Sequence, residues 1–462
     1  MSPAARAYVG ATRGTRLDST HVKTLVIGTG GREHALALAL AGDPAVGEVH
    51  AAPGNPGIGA FATLHEVDPM DGAAVAALAV EVGADLVVIG PEAPLVAGVA
   101  DLVRAAGIAV FGPDADAAQL EGSKAFSKEV MAAAGVPTAG SRTCETPEEY
   151  EAALDEFGAP YVVKDDALAA GKGVVVTRDR AEALAHAAAC GRVVIEEFLE
   201  GPEVSVFAVC DGTRAYALQP AQDFKRIFDG GHGPNTGGMG SYSPLPWAPA
   251  DLPQQVLDTV VQPTLDEMNR RGTPYVGCLY VGLALTQAGP RVIEFNARFG
   301  DPDIQPVLAL LTSGAGTLLH AAATGRLDEV PAPTFAEGAA VTVVLASAGY
   351  PESSSKGDVI TGVGVANGVD GVDVIHAGTA LVSTSSTGGT SSTSGTSSTG
   401  KKALVTAGGR VLAVRARGYD VADARARAYA AADLVSFDGL QRRSDIAAEP
   451  LGVVEGASLT QN

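Results

Sequence analysis

The segment that begins at Val22 alternates short apolar runs with Ala-, Val- and Leu-rich helical stretches, and this alternation constrains the fold more than any other feature of the chain. After VKTLVIG, further apolar runs lie at 48–52, 85–89 and 108–111. Short buried strands that alternate with helices form a parallel sheet, because a helix carries the chain back to the start of the next parallel strand. We therefore predict a doubly wound parallel sheet in an N-terminal domain at residues 22–122.

The middle of the chain carries longer strand-like runs, which predict an α+β domain with an antiparallel sheet and flanking helices. We place this domain at residues 123–330, with a small subdomain at about 144–200, and a third, mixed α/β domain at 331–450. The elements predicted here are helices at 124–134 and 421–435 and strands at 161–164, 173–177, 193–198, 204–209, 276–286, 291–296, 339–346, 373–376 and 410–415.

Two segments lack the apolar side chains that a core requires. Residues 383–400 contain only Ser, Thr and Gly and separate HAGTALV from ALVTAGG, two runs that we expect to pair as a hairpin. We predict a flexible loop inserted at the tip of that hairpin. Residues 1–21 carry three arginines and one acid. We predict a disordered extension there, with an organelle transit peptide as the alternative.

Composition excludes several classes of function. The formal net charge of −21 argues against a general nucleic-acid binder, because such proteins use basic patches to neutralise phosphates. No apolar run reaches the roughly 18 residues that span a membrane. The four cysteines are scattered, without the spacing of a zinc site or a disulfide framework. We expect a cytoplasmic globular protein with neither nucleic-acid nor membrane partners.

The run EFNARFGDPD, residues 294–303, has the pattern of a metal and phosphate site. Side chains on a strand alternate between faces, so Glu294 and Asn296 point the same way, while Ile293 and Phe295 are expected to point into the core. A carboxylate and an amide oxygen together suit Mg²⁺, which completes its shell with nucleotide phosphates and water. Arg298 follows on the same face, and its guanidinium fits a phosphoryl group.

Three Gly- and Pro-containing loops follow strands of the predicted parallel sheet. They are VIGTGGREHA with Gly30, Gly31 and Arg32, APGN with Asn55, and GPEAPL with Glu92. A glycine turn before a helix exposes backbone N–H groups that favour an anion, although a merely tight turn is the alternative. Ligands collect at the carboxyl ends of parallel strands, so we predict one shared substrate pocket.

Two lysines lie where a nucleotide lid would need them. Lys164 ends a buried strand, and Lys172 lies in the glycine loop that follows, while Lys124 opens a helix at the domain junction. These residues predict phosphate contacts. In IEEFLEGPEVS, the backbone groups from Glu196 through Glu197 to Leu199 could hydrogen-bond to the edge of an adenine base. Glu203 could bind ribose hydroxyls. The alternative is a solvated acidic strand edge.

The run GPNTGGMGSY, residues 233–242, is rich in glycine. Asn235, Gly237 and Gly238 are candidate substrate contacts, because glycine lets a ligand approach the backbone closely. Asp223 and Lys225 supply charges just before this run.

Taken in order, the motifs GxGGREHA, APGN, GPEAPL, LEGSKAF, LAAGKGV, IEEFL, GPNTGGMG, EFNxRFGDP and HAGT resemble those of the ATP-grasp ligases, and among them those of the glycinamide ribonucleotide synthetase family. The resemblance covers about residues 22–450. It implies an ATP-grasp fold whose small subdomain is a lid, and an activity in purine biosynthesis. It also implies ATP as co-substrate, Mg²⁺ or Mn²⁺ as metal, and glycine and 5-phosphoribosylamine as substrates of a monomer or weak homodimer.

The resemblance also implies roles for the candidate residues. Lys124 and Lys164 would hold the α- and β-phosphates, Glu294 and Asn296 the metal, and Arg298 the transferring group. The N-terminal glycine loop would hold the ribose phosphate. Asp223, Lys225 and the 233–242 loop would border the glycine and the acceptor amine.

Several positions depart from the family pattern. The segment 174–195 is short, Asp165 adds a charge beside Lys164, and Phe224 and Asp303 replace the usual residues. These departures keep two alternatives open. One is a paralogue that binds nucleotide without turnover, and the other is an ATP-grasp ligase or carboxylase with a different substrate.

Overall fold

The N-terminal domain is built on a five-stranded sheet in the order β3-β2-β1-β4-β5, and its paired strands are all parallel. Leu25, Ile27 and Val87 are fully buried between the sheet and its helices. This arrangement confirms the predicted doubly wound sheet. Its elements are β1 (Val22–Gly28), α1 (Gly31–Ala41), β2 (Val46–Pro53), β3 (Thr63–Leu64), α2 (Gly72–Val82), β4 (Leu86–Ile89), α3 (Glu92–Val96), α4 (Val99–Ala105), β5 (Ala109–Phe111) and α5 (Ala115–Gly122).

The structure is a computed structural model that describes residues 21–168, 173–383 and 402–448. Lys172 lies outside the described residues. So do residues 1–20 of the predicted extension and residues 384–400 of the predicted insertion. Among the helices described, none is long and apolar enough to cross a bilayer.

A small antiparallel sheet in the order β6-β9-β7-β8 forms the predicted subdomain. It has a core of its own around Tyr150, Leu154, Val163 and Ile195. Thr146 begins one of its helices with a capping box to Glu149. The elements of this region are α6 (Lys124–Ala134), β6 (Ser141–Cys144), α7 (Pro147–Phe157), β7 (Tyr161–Asp165), β8 (Val174–Thr177), α8 (Arg180–Cys190) and β9 (Val193–Glu196).

The central sheet is antiparallel, in the order β11-β10-β16-β17. Its two long middle strands confirm the strand-like runs predicted at 204–209 and 276–286. The elements of this part are β10 (Glu203–Asp211), β11 (Ala215–Ala217), α9 (Leu252–Val256), α10 (Gln262–Arg270), β16 (Val276–Thr286), β17 (Gly289–Asn296), α11 (Ile304–Leu310) and α12 (Ala315–Ala323), with a π-helical turn Leu257–Val261 between α9 and α10.

A third sheet, in the order β12-β15-β18-β22-β19, combines strands from the middle and the end of the chain. The hairpin predicted on either side of the Ser/Thr/Gly segment is present, because β20 and β21 pair antiparallel. The elements are β12 (Gln222–Asp223), β13 (Arg226–Phe228), β14 (His232–Asn235), β15 (Gly240–Ser243), β18 (Ala339–Ala346), α13 (Val363–Asn367), β19 (Val372–His376), β20 (Thr379–Ser383), β21 (Lys402–Thr406), β22 (Arg410–Gly418) and α14 (Val421–Ala432).

Candidate functional site

A small cavity opens on the central sheet, where β10, β16 and β17 meet the strand β12. Four charged side chains predicted from the sequence line it, namely Glu203, Asp223, Lys225 and Glu294. The complete lining is Glu203, Val204, Ser205, Asp223, Lys225, Tyr280, Gly282, Leu283, Ile293 and Glu294.

The strand β17 contains a β-bulge that changes which side chains reach this cavity. The pairing with β16 shifts between Gly282, opposite Glu294, and Leu283, opposite Val292, so Ile293 is the additional residue. Ile293 was expected to point into the core, and this prediction is wrong. The side chain is only partly buried and lines the same cavity as Glu294, while Val292 and Phe295 fill the core.

Glu294 faces three lysines. Removal from bulk water would raise the pKa of this carboxyl, but Lys225, Lys164 and Lys124 outweigh that effect and lower the pKa. Asn296 lies beside it, with Nδ2 3.5 Å from Glu294 Oε1. An ionised carboxylate next to an amide oxygen is a hard-oxygen donor set that fits Mg²⁺ or Mn²⁺.

Two protein oxygens are too few to hold such an ion alone. Among the described residues, no group of three or more His, Cys, Asp or Glu side chains could bind a metal. Nucleotide phosphates and water would therefore have to complete the shell around Glu294 and Asn296, as Mg²⁺ sites in nucleotide enzymes commonly require.

Lys225 lies between carboxylates at the other side of the cavity. Its Nζ is 2.9 Å from Glu203 Oε2. Burial would lower the pKa of Lys225, but Asp223 and Glu203 raise it well above its ordinary value. Lys225 is therefore a fixed positive charge opposite Glu294. Glu203, predicted as a ribose contact, is paired with this lysine in the structure.

Lys164 is buried and held at the edge of the site by two oxygens. Its Nζ donates to Ile293 O at 2.8 Å and lies 3.0 Å from Glu196 Oε2. The other oxygen of Glu196 lies 3.3 Å from Lys128 Nζ. Lys128 is not among the residues predicted from the sequence. The available signal was its position one helical turn after Lys124, on the same face of α6.

The helix α6, which begins with Lys124, is capped by the lid. Asp166 Oδ1 accepts hydrogen bonds from Ser123 Oγ at 3.1 Å and from Ala125 N at 2.9 Å, and its Oδ2 accepts from Arg192 Nε at 2.6 Å. The carboxylate thus lies at the positive end of the helix and connects the β7–β8 loop to Lys124.

The predicted adenine-reading segment starts at the end of β9. The backbone N–H of Glu197 donates to Gly140 O at 2.9 Å, so this group is engaged by the protein. The Glu197 carboxylate accepts from Gly140 N at 3.2 Å and faces Arg291 at 3.4 Å. Glu197 thus holds the end of β9 against Gly140 and Arg291. Leu199 lies beyond the end of this strand and is partly buried.

Arg298, just after β17, connects this strand to the N-terminal domain. Its Nη2 lies 2.9 Å from Glu121 Oε1 and 3.3 Å from Asn296 Oδ1, and its Nε lies 3.3 Å from Glu92 Oε2. Burial raises the pKa of Glu121 in spite of the arginine. Glu121, which was not predicted from the sequence, is the inner half of a two-carboxylate clamp that fixes the direction of the Arg298 guanidinium.

The glycine loop before α1 is closed by a carboxylate of the chain itself. Glu33 Oε2 accepts from Gly30 N at 2.5 Å, and Glu33 Oε1 pairs with Arg32 Nε at 2.6 Å. A Cβ at Gly90 would lie 1.9 Å from Glu33 Oε1. Gly90 therefore makes room for Glu33. Arg32 also approaches Glu92, at 3.9 Å, so two of the predicted substrate residues do come together.

Asn55 has its whole hydrogen-bonding capacity engaged within the protein. Its Nδ2 donates to Thr29 O at 2.8 Å and to His376 O at 3.0 Å, and its Oδ1 accepts from Gly57 N and Ile58 N. A carboxamide offers two donors and one oxygen with two lone pairs. Asn55 thus joins the APGN loop to the C-terminal sheet.

The 233–242 loop packs against the end of the RFGDP motif. A Cβ at Gly238, whose φ is +110°, would lie 2.4 Å from Pro302 Cδ. The carbonyl of Gly237 accepts from Arg410, which also pairs with Asp301 at 3.1 Å. These contacts bring the loop, the motif and the C-terminal sheet together. Asn235 lies in the β13–β14 hairpin, opposite Arg226.

Models of three successive domains of one protein family match the chain. The N domain of phosphoribosylglycinamide synthetase matches residues 22–121, the ATP-grasp (A) domain 122–304, and the C domain 340–449. The chain belongs to the phosphoribosylglycinamide synthetase family. The three matched ranges hold the N-terminal loops, the lysines with β17, and Arg410, respectively.

Proteins of this family are similar to this chain over nearly its whole length. A phosphoribosylamine–glycine ligase of Streptomyces coelicolor is 58% identical over 431 residues, which are 93% of this chain and all of that protein. A crystal structure of phosphoribosylamine–glycine ligase from Thermotoga maritima has a TM-score of 0.76 at 33% identity and covers 92% of this chain and all of its own.

A more distant neighbour shares the fold alone. The biotin carboxylase domain of 2-oxoglutarate carboxylase from Hydrogenobacter thermophilus, a complex with magnesium ADP and bicarbonate, has a TM-score of 0.66 at 18% identity. It covers 91% of each chain. The two proteins therefore share an architecture.

Proposed function

We propose that this chain joins glycine to 5-phosphoribosylamine with ATP, giving glycinamide ribonucleotide, ADP and phosphate. The observation that carries the proposal is the Glu294 carboxylate, ionised among Lys225, Lys164 and Lys124 and followed along the strand by Asn296 and Arg298. Anionic substrates and a cation can be positioned there with little covalent help, which is what phosphoryl transfer requires.

The residues divide the work by position. Lys124 and Lys164 bind the α- and β-phosphates, and Lys172 is a further nucleotide contact. Backbone groups of the Glu196–Leu199 segment meet the base. Glu294 and Asn296 hold Mg²⁺ or Mn²⁺, which neutralises phosphate charge when bound. Arg298, held in place by Glu92 and Glu121, presents its guanidinium to the transferring phosphoryl group.

Side chains of the site position the substrates for two successive transfers, first of a phosphoryl group and then of a glycyl group. The glycine carboxylate attacks the γ-phosphorus of ATP and the bond to the β–γ bridging oxygen breaks, which gives glycyl phosphate and ADP. The amine of phosphoribosylamine then attacks the acyl carbon, loses a proton and expels phosphate. Lys225 and Asp223, at the cavity wall, border the glycine and the amine. The ribose phosphate lies toward Gly30, Gly31 and Arg32 of the N-terminal domain, with Asn55 and Glu92 shaping the loops around it.

The remaining parts of the proposal concern organisation. Residues 22–122 are the substrate-phosphate domain, 123–330 the ATP-grasp domain with its lid at about 144–200, and 331–450 the C-terminal domain. Asn235, Gly237 and Gly238 form the loop that closes the acceptor side. We further propose that the protein acts in the cytoplasm as a monomer or weak homodimer.

A coupled assay of ADP release tests this function. We expect ADP to form only when glycine and freshly prepared phosphoribosylamine are both present with ATP and Mg²⁺. Omission of either substrate is the control. ADP release that does not depend on both of them would contradict the proposal and would favour a nucleotide-binding paralogue or a ligase of other substrates.

A further inference from the structure

Lys128 is a buried lysine beside the nucleotide site whose three N–H groups are all used within the protein. Its Nζ donates to Thr138 Oγ1 at 2.9 Å and to Ala139 O at 3.2 Å, and it lies 3.3 Å from Glu196 Oε1. An ammonium has three donors and no acceptor. Lys128 therefore has no donor left for a ligand.

Lys164 differs from Lys128 in this respect. Among the described residues its Nζ has two oxygen partners, Ile293 O and Glu196 Oε2. One of its three N–H groups is left for another acceptor, and its charge is near enough to Glu294 to lower the pKa of that carboxyl. Lys164 can therefore bind a phosphate oxygen while it keeps both protein contacts.

Glu196 lies between these two ammonium groups, and all three side chains are buried. The exposed fractions of their residues are 9% for Lys128, 3% for Lys164 and 3% for Glu196. A buried carboxylate needs compensating charge. Paired with Lys164 alone, Glu196 would cancel the positive charge of that lysine. With Lys128 as a second partner, one net positive charge remains at the site.

We propose that Lys128 is a positioning residue of the nucleotide site, which neutralises Glu196 so that Lys164 keeps its positive charge for the phosphates. The inference rests on the proposed function in one respect, namely that nucleotide phosphates lie at Lys164. Lys128 itself touches no substrate.

The surroundings of Lys128 also make its charge sensitive to pH. Burial lowers its pKa to about 8, with Lys164 and Arg291 acting in the same direction and Glu196 opposing them. Lys128 is therefore about half charged near pH 8, becomes fully charged at lower pH, and loses its charge as the pH rises further. Phosphate affinity should therefore fall above about pH 8.

Titration calorimetry with magnesium ADP tests the proposal without any turnover. We expect Lys128→Met to weaken ADP binding by about tenfold or more, because Glu196 then cancels the charge of Lys164. The second variant is Lys128→Met combined with Glu196→Gln. We expect its affinity to lie within about threefold of Glu196→Gln alone, since no carboxylate is left to neutralise.

The matched control is Lys23→Met, which removes a lysine from an exposed pair with Glu48, 3.0 Å away in the N-terminal sheet. Its ADP affinity should equal that of the wild type. Unchanged ADP affinity in Lys128→Met overturns the proposal. So does a double variant that is weakened by the same factor as Lys128→Met, because a purely structural lysine would act regardless of Glu196.

Lys128→Arg supplies a measurement that survives if Lys128→Met fails to fold. An arginine keeps its charge at every accessible pH. Between pH 7 and 9.5 we expect wild-type ADP affinity to fall and Lys128→Arg affinity to stay level. The same fall in both overturns the proposal. A wild type that binds ADP but shows no glycine-dependent turnover would refute the proposed function alone, and the Lys128 variants would still be readable.

Discussion

At the scale of single residues, the charge balance of the site depends on Glu294. Three lysines share this carboxylate, and their combined attraction outweighs the cost of removing it from water. The carboxylate therefore does two things. It is the metal ligand that we propose, and its charge offsets part of the positive charge of three nearby lysines.

Glu294→Ala should abolish metal-dependent turnover while leaving the fold intact. We expect kcat to fall by about a hundredfold or more, because the loss of a ligand and of charge compensation both act in the transition state. Steady-state kinetics over a range of Mg²⁺ concentrations measure this. Glu48→Ala is the matched control, since that exposed carboxylate pairs with Lys23 in the N-terminal sheet, away from the cavity. Normal turnover in Glu294→Ala would exclude the metal assignment.

Sequence alone predicted Glu294 and Asn296 because strand periodicity is local. It could not predict Ile293, since a bulge exists only relative to the partner strand β16. The sequence did not predict Lys128 and Glu121 for a related reason. In the sequence each is an ordinary charged residue, because its partner, Glu196 or Arg298, lies in a distant part of the chain and is brought close only by folding.

At the scale of elements, glycine-rich loops in this protein are shaped by the protein's own atoms. Their abundance predicts that a substrate or another segment of backbone approaches them closely. In the structure, Gly90 accommodates Glu33, and Gly238 accommodates Pro302. A Gly-rich sequence predicts close approach of something to the backbone, but it does not say whether that is a ligand or another loop.

Gly238→Ala should destabilise the protein in the absence of any ligand. Its φ of +110° disfavours a side chain, and the added Cβ would meet the rigid ring of Pro302. We expect the free energy of unfolding to fall by about 1–3 kcal/mol. Denaturant titration of the ligand-free protein measures this quantity.

Gly364→Ala is the control for that measurement. A Cβ there meets no atom within 4 Å, and its φ lies outside the left-handed region. The substitution in α13 should leave stability unchanged or raise it by up to about 1 kcal/mol. If Gly238→Ala kept full stability and lost only substrate affinity, the loop would be shaped by its ligand.

At the scale of the whole molecule, a pair of buried histidines joins the first and last domains. His34 of α1 accepts a hydrogen bond through Nδ1 from His376 N of β19, at 2.8 Å, and the two ring centroids are 5.7 Å apart. Burial lowers the pKa of His34 to about 3 and that of His376 to about 4. Both imidazoles are therefore neutral in the folded protein at neutral pH.

This junction should make stability depend on pH in the acid range. Unfolded histidine titrates near 6.5, so between that value and about 3 the unfolded state binds the proton at His34 and the folded state does not. Stability is complete above about pH 6.5 and falls by a few kcal/mol as the pH decreases toward 3.

Thermal unfolding midpoints from pH 7 to pH 4 measure this effect. We expect a shallower decline in His34→Asn, whose Oδ1 can accept the same hydrogen bond but does not titrate. His232→Asn, at an exposed position of the β13–β14 hairpin, should decline like the wild type. Parallel curves for wild type and His34→Asn would place the acid sensitivity elsewhere.

The third sheet limits where this protein can be truncated. β15 lies between β12 and β18, and β18 belongs to the C-terminal part of the chain. A fragment that ends after α12 would leave Gly240–Ser243 as a bare edge, with unpaired backbone groups along a row of side chains that are buried in the intact protein. Such edges recruit other chains. The excised fragment should therefore aggregate unless β18 and β22 are supplied with it.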